Sequence, residues 1–274
     1  MNLKLVACDM DGTLLNSKNE ISEKHAKVAE LCAEKGIAFT VCSGRAFVSI
    51  KPYLKSLRSD KGFMIGYNGG RIATMDMKTE IYRCPMTARD VRSIINLGMK
   101  LDATTIVWAD EVLYVNRIND SSIAYAKLSS AEAVLFDPEN PVFLQNLADN
   151  DITTVDKVFW TDPPEKTDYL EKNARPLVPE TVQFMRSGSI FLEFVDAKVS
   201  KGDALRRLCD YLGVDISESA AFGDAENDLA MLEAAGRAVA MGNASLAVKE
   251  AADTITETND NDGVYNEFMR IIGE

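Results

Sequence analysis

The sequence predicts an α/β protein built on a parallel sheet and interrupted by an inserted α+β domain. Three observations predict it. Apolar strand-like runs alternate with amphipathic helical patterns at the amino-terminal end; from about Cys84 the rhythm changes to a helix followed by paired β-rich runs; and after Ser189 the alternation resumes. The outer segments, 1–83 and 190–274, are therefore expected to form one core and 84–189 an inserted domain. A length of 274 residues fits this division, since a domain averages ~150 residues.

The opening LKLVACDMDGT reads as a short buried strand, with Leu3, Leu5, Val6 and Ala7 apolar before Asp9 interrupts. A helix follows, with Ser22 as its N-cap, Ile21, His25, Val28, Ala29 and Cys32 near one face, and Gly36 as its stop. GIAFTVCSGR is a second buried strand that runs into a Ser-Gly loop, which completes the sequence form of a βαβ unit. A third strand is expected at Gly62 to Tyr67, ending in Asn68, Gly69 and Gly70.

In the insert, TARDVRSIINLGMKL has a helical pattern, and TTIVWADEVLYVN reads as a hairpin turning at Asp110 and Glu111. VDKVFWTD is a strand, PPEKTDYLEKNA a helix opened by Pro163 and Pro164, and TVQFMRSGSIFLEFV two strands turning near Ser187 and Gly188. The core then resumes: KGDALRRLCDYLGV is an amphipathic helix, SAAFGDAENDLAML a strand, acidic loop and helix, and AVAMGN a further short strand.

Composition narrows the function. Hydrophobic residues at 46% and charged residues at 26% describe a globular chain with ample core. A formal charge of −12 repels nucleic-acid phosphates and anionic membranes, so neither is an expected partner. MNLKLVACDM lacks the apolar core of a signal peptide and no apolar run is long enough to span a bilayer, so a soluble, cytoplasmic protein is expected. The five scattered cysteines, without a CxxC pair, indicate neither a disulfide framework nor a zinc knot. A single histidine, His25, leaves little room for histidine-based triads or zinc sites, so the chemistry should run on carboxylates.

Asp9 and Asp11 lie two apart at the end of a buried strand. In an open parallel sheet the reactive crevice lies beyond the carboxyl ends of the strands, which places Asp9, Asp11, Ser43, Asn68 and Asp224 on one rim. Each alone could be a turn or capping residue, but that reading does not account for all of them together. A cluster of Asp9, Asp11, Asp224 and Asp228 would repel itself unless a cation sat among the carboxylates, and an oxygen-only donor set favours magnesium over zinc. Calcium-loop spacing fails: counted from Asp9 the glycine position is Leu14, and counted from Thr258 the final acidic position is Met269.

DMDGT at Asp9 to Thr13, TVCSGR ending at Arg45, VSKGDAL around Lys201 and GDAENDLAML around Asp224 resemble, in order, the four motifs of the haloacid dehalogenase superfamily. YNGG from Tyr67 and the stretch AVAMGNASLAVKEAADTITETNDNDGV are similar to its Cof-type branch, and the position of the insert after the third strand resembles the branch with a large type II (IIB-like) cap. The resemblance implies a Rossmann-like core, a cap that governs substrate choice, and a magnesium-dependent phosphomonoester hydrolase acting on a small phosphorylated metabolite such as a sugar phosphate or nucleotide-related compound.

By the same resemblance Asp9 is the nucleophile that forms an aspartyl-phosphate, and Asp11 protonates the leaving alcohol and then activates water. Ser43 and the Gly44 backbone hold the phosphoryl oxygens and Lys201 neutralises their charge, while Asp9, the Asp11 main-chain carbonyl and Asp224 hold magnesium. Asn227 orients Lys201 or the phosphoryl group, Asp228 stands at or just behind the metal, and Thr13 stabilises the loop. Arg45 is an available cation beside the rim, and Asn68 is expected at the phosphate. One departure is Lys198, where relatives often carry a glycine before the Ser-Lys pair.

His25, Cys8 and Cys42 read as core residues, and Trp108, Tyr114 and Trp160 as packing. In the insert, the polar turn Arg186 to Ser189 is the expected substrate contact. Competing readings are a phosphomutase sharing the aspartyl-phosphate, and a non-catalytic phosphometabolite-binding regulatory protein.

Overall fold

The computed structural model describes residues 2–59, 61–136 and 154–273, so part of the expected insert, 137–153, lies outside the described residues. The chain divides into two compact units, Met1–Arg83 with Ser200–Glu274, and Cys84–Val199.

The first unit carries an eight-stranded sheet. Its strands are β1 (Leu5–Asp9), β2 (Ala38–Cys42), β3 (Phe63–Gly66), β4 (Arg71–Thr74), β5 (Glu80–Arg83), then β12 (Ser219–Gly223), β13 (Arg237–Ala240) and β14 (Thr254–Ile255), in the order β14-β13-β12-β1-β2-β3-β4-β5. The run from β14 to β3 is parallel. Every residue of β1 is buried, and since alternate side chains point to opposite faces, both faces of the sheet are covered at its centre. The core there is formed by Leu5, Val6, Cys8, Phe39, Val41, Phe222 and Val239 with residues of the flanking helices.

The predicted caps form. Ser22 accepts the His25 N–H at 3.1 Å to open α1 (Glu23–Lys35), and Gly36, at φ 68°, ends it in the left-handed conformation that lacks a Cβ penalty. A cap not predicted from sequence is Ser200, which accepts the Asp203 N–H at 3.0 Å at the start of the helix Lys201–Leu212. Lys198 meets no backbone strain, because its φ lies outside the left-handed region; Asp196 closes the turn by accepting the Lys198 N–H at 2.9 Å, so no glycine is required.

The structure differs from expectation in several places. Antiparallel pairing begins before Cys84: β3–β4 and β4–β5 are antiparallel hairpins that extend the core sheet. Short polar and charged residues in RIATMDMKTEIYR hide the alternation that marks a strand pair. The helices Phe47–Leu54 and Gly263–Ile272 are likewise additional to the predicted elements.

The second unit carries a six-stranded sheet of β6 (Thr105–Ala109), β7 (Val112–Val115), β8 (Ala133–Leu135), β9 (Val155–Thr161), β10 (Val182–Gly188) and β11 (Phe191–Asp196), ordered β10-β11-β9-β6-β7-β8. The β6–β7 hairpin turns at Asp110 and Glu111, both with positive φ (50° and 64°), the geometry that matches strand twist in a two-residue turn. The boundary expected at Ser189 is corrected. Phe191–Phe194 pair with Val158–Thr161, so 190–199 belongs to the insert, and the β10–β11 connection falls at Ser189 and Ile190. Because β11 is an apolar run, sequence pattern could assign it to either sheet, and only its pairing decides.

Candidate active site

Four adjacent parallel strands, β12, β1, β2 and β3, end at one rim, and from their ends project Asp224, Asp9, Ser43 and Asn68. The chain leaves β1 through a tight turn, Met10–Leu14, closed by the Leu15 N–H on the Met10 carbonyl at 2.8 Å. Gly12 within it has φ 80°, and a Cβ there would lie 2.4 Å from Asp224 Oδ2, so the close approach of this turn to Asp224 needs glycine twice over.

Lys201 is the centre of the cluster. Its Nζ donates to Asp9 Oδ1 at 2.5 Å and to Asp228 Oδ1 at 2.6 Å, and its side chain is wholly buried. Burial opposes the ammonium charge, but Asp228 and Asp9 outweigh it and raise the Lys201 pKa. The other Asp228 oxygen accepts the backbone N–H groups of Asp224 and Ala225, both at 3.1 Å. Asp228 therefore fixes both Lys201 and the turn that carries Asp224.

Asp9, Asp224 and Asp228 present ligand atoms within 4.8 Å of one another. Burial, then repulsion from Asp228, raises the Asp9 pKa well above the usual carboxylate range despite Lys201. Burial likewise pushes Asp224 up to about 6, against the hydrogen bond it accepts from Thr13 Oγ1 at 2.8 Å. Three carboxylates share one ammonium, so the cluster is short of positive charge, and its donors are hard oxygens. That is the environment a small divalent cation fits.

Ser43 is buried, with its Oγ accepting the Arg45 N–H at 3.2 Å, and its carbonyl accepts the Asn68 N–H at 3.0 Å. Gly44 lies close against Asn68, whose Oδ1 would be 2.7 Å from a Cβ at that position. Asn227 donates to Asn68 Oδ1 at 3.3 Å and so ties the acidic loop to the β3 loop, while the task of orienting Lys201 falls to the neighbouring Asp228. The Arg45 guanidinium is engaged by the half-exposed Asp11 carboxylate, Nε to Oδ2 at 2.8 Å and Nη2 to Oδ1 at 2.5 Å. Arg186 lies in the second unit. There it pairs with Asp168 at 2.7 Å and Glu171 at 2.9 Å and donates to the Gly188 and Ser189 carbonyls, so it braces its own turn.

Two residues not singled out from sequence, Asn243 and Asn259, support the same turn together with His25. Asn243 Nδ2 donates to the Gly12 carbonyl at 2.8 Å, Asn259 Nδ2 to the Leu15 carbonyl at 2.8 Å, and His25 Nδ1 to the Leu14 carbonyl at 2.9 Å. Asn243 and Asn259 stand inside the carboxyl-terminal stretch that resembles the Cof-type branch, which was the available signal.

A parallel α/β core with this acidic and lysine-bearing rim defines a class of phosphoryl-transfer hydrolase, and the sequence profile of haloacid dehalogenase-like hydrolases matches residues 6–268. The chain belongs to that family. It is 30% identical to the phosphatase YwpJ of Bacillus subtilis, over 98% of this chain and all of that protein, and 30% identical to the 5-amino-6-(5-phospho-D-ribitylamino)uracil phosphatase YcsE of the same organism, over 96% and 94%. Its structure is similar to that of a haloacid dehalogenase-like hydrolase from Bacteroides thetaiotaomicron, with a TM-score of 0.86, 29% identity and coverage of 98% and 99%. Within the family this chain is a phosphatase of the Cof type. No helix among the described residues is long and apolar enough to cross a membrane.

Proposed function

We propose that the protein is a magnesium-dependent phosphomonoester hydrolase that acts on a small phosphorylated metabolite, a sugar phosphate or nucleotide-related ester, through an aspartyl-phosphate on Asp9. The observation that carries the reading is the buried Asp9–Lys201–Asp228 array, which presents a carboxylate beside a fixed cation at the strand-end rim.

An Asp9 oxygen attacks phosphorus as the ester P–O bond breaks, and Asp11 gives its proton to the departing alcohol oxygen. A water then attacks phosphorus, Asp11 takes the water's proton, and the bond between phosphorus and Asp9 breaks to release phosphate. Lys201 offsets the charge on the phosphoryl oxygens, and Ser43, the Gly44 backbone and Asn68 bind them in this reading. Asn227 holds Asn68, and Thr13 holds Asp224.

Asp9, Asp224 and the Asp11 main-chain carbonyl would hold magnesium, which when bound supplies the positive charge that the cluster lacks. Asp228 is assigned to Lys201 in place of the metal, since both of its oxygens already accept protein donors. The insert is assigned substrate selection. The relative named for a phosphoribitylamino uracil is a phosphatase of a sugar-like ester, in keeping with that substrate class.

A panel of phosphorylated metabolites assayed for phosphate release with magnesium, beside Asp9→Asn, tests the reading. Release from one or more sugar or nucleotide-related monophosphates is expected, with loss of at least ~4 kcal/mol of transition-state stabilisation in Asp9→Asn. Conversion to an isomeric phosphate without release would indicate a phosphomutase, and activity retained in Asp9→Asn would exclude the aspartyl-phosphate.

A further inference from the structure

Asp11 projects from the turn after β1 with half of its carboxylate side chain exposed, so its own surroundings do little to hold one rotamer. Arg45 holds it. Nε and Nη2 meet Oδ2 and Oδ1 in a two-pronged pair, the geometry in which a planar guanidinium fixes both the position and the plane of a carboxylate.

A long arginine side chain can do this only if it is itself fixed. Its backbone is tied on both sides, the N–H to Ser43 Oγ and the carbonyl to the Tyr67 N–H at 3.0 Å. Its guanidinium lies 5.1 Å from the centre of the Tyr53 ring, and Nη1 donates to the Tyr53 hydroxyl at 3.3 Å. Tyr53 belongs to the helix Phe47–Leu54, which follows the Ser43 loop directly. A continuous chain of contacts thus runs from that helix through Tyr53 and Arg45 to Asp11.

We propose that Arg45 and Tyr53 are positioning residues for Asp11, and that Arg45 acts on the reaction through Asp11 and not by binding the phosphoryl group. The two prongs that a phosphate would use are engaged by Asp11. This inference rests on the reading of Asp11 as the residue that moves the proton.

The two roles differ in how they depend on the leaving group. A phosphate-binding arginine serves every ester alike, whereas a residue that positions the general acid matters only where the leaving oxygen needs a proton. Single-turnover release from p-nitrophenyl phosphate, whose leaving group departs unaided, and from phenyl phosphate, whose leaving group is far more basic, separates them. Arg45→Lys, which keeps the charge and loses the fork, is expected to slow phenyl phosphate by ~10- to 100-fold and p-nitrophenyl phosphate by less than ~3-fold. Tyr53→Phe, which keeps the ring and loses the hydroxyl, should shift the ratio in the same direction by a smaller factor and serves as the variant least able to disturb folding. Equal slowing of both esters, or an unchanged ratio in both variants, would overturn the proposal while leaving the hydrolase reading intact. Wild-type protein that turned over neither ester would remove that reading and this inference with it. A second readout needs no turnover: the Arg45 Nε–H resonance should exchange slowly in the wild-type protein and rapidly in Asp11→Ala, and identical exchange in the two would refute the pairing.

Discussion

Lys201 Nζ lies 2.6 Å from Asp228 Oδ1, and neither side chain is exposed to solvent. The pair is separated by 27 positions in sequence and joins the start of the helix Lys201–Leu212 to the turn after β12. An ammonium buried among carboxylates cannot be removed without leaving uncompensated charge.

Lys201→Ala should therefore destabilise the metal-free protein by ~3–5 kcal/mol, the scale for breaking a buried pair from one side. Asp228→Ala should cost a similar amount, since it leaves the buried Lys201 with one partner and frees two partly buried backbone N–H groups. Urea unfolding without magnesium measures both, and losses below ~1 kcal/mol would show that the cluster is far better solvated than this geometry implies.

Acid stability should report on His25. The ring is buried and Nδ1 bonds to the Leu14 carbonyl, and burial disfavours the charged ring more than the nearby Asp262 backbone and carboxylate favour it. Burial holds the His25 pKa below its ordinary value of 6.5. The unfolded chain then takes up this proton first, and the stability contributed by neutral His25 is lost as pH falls below ~6.5 towards the lowered folded value, at up to ~1.4 kcal/mol per pH unit. The stability difference between wild type and His25→Gln, measured at pH 7.5 and 5.5, should shift against the wild type at the lower pH. A difference independent of pH would mean that His25 is not held neutral.

Gly12→Ala should weaken magnesium binding without unfolding the chain. The left-handed backbone costs an alanine ~1–2 kcal/mol, and the added methyl would strike Asp224 and displace its carboxylate. Calorimetric titration with magnesium checks this, and unchanged affinity would place the metal away from Asp224.

Asn243→Ala should lower turnover by roughly the net worth of one hydrogen bond, ~1 kcal/mol, through a looser Gly12 peptide. Matching kinetics for wild type and variant would limit Asn243 to a structural role.

What could be read from sequence follows from how locally each feature is encoded. Asp9, Ser43, Asn68 and Asp224 were legible because each ends a buried apolar strand, and in a parallel sheet strand ends share one rim. Their supports were not. Asn243 and Asn259 reach the turn after β1 from more than 200 residues away, and Tyr53 meets Arg45 only because a short helix folds back over the Ser43 loop. The strand Phe191–Asp196 shows the same limit at the level of fold: its apolar pattern names a strand, while its sheet is decided by pairing with Val155–Thr161. Arg186 is a further case, since its ion pairs with Asp168 and Glu171 join segments that the sequence pattern does not bring together.

The central claim is that phosphorus becomes bonded to Asp9. A single turnover with phosphate-labelled substrate, quenched in acid at the millisecond scale and divided, tests it most directly. One part is digested to locate the label and the other is reduced with borohydride, which converts an aspartyl-phosphate to homoserine. The account predicts label on the peptide that contains Asp9 and homoserine at that position, with neither in Asp9→Asn. Full release of phosphate with no labelled protein at any time, or label on another residue, would contradict it.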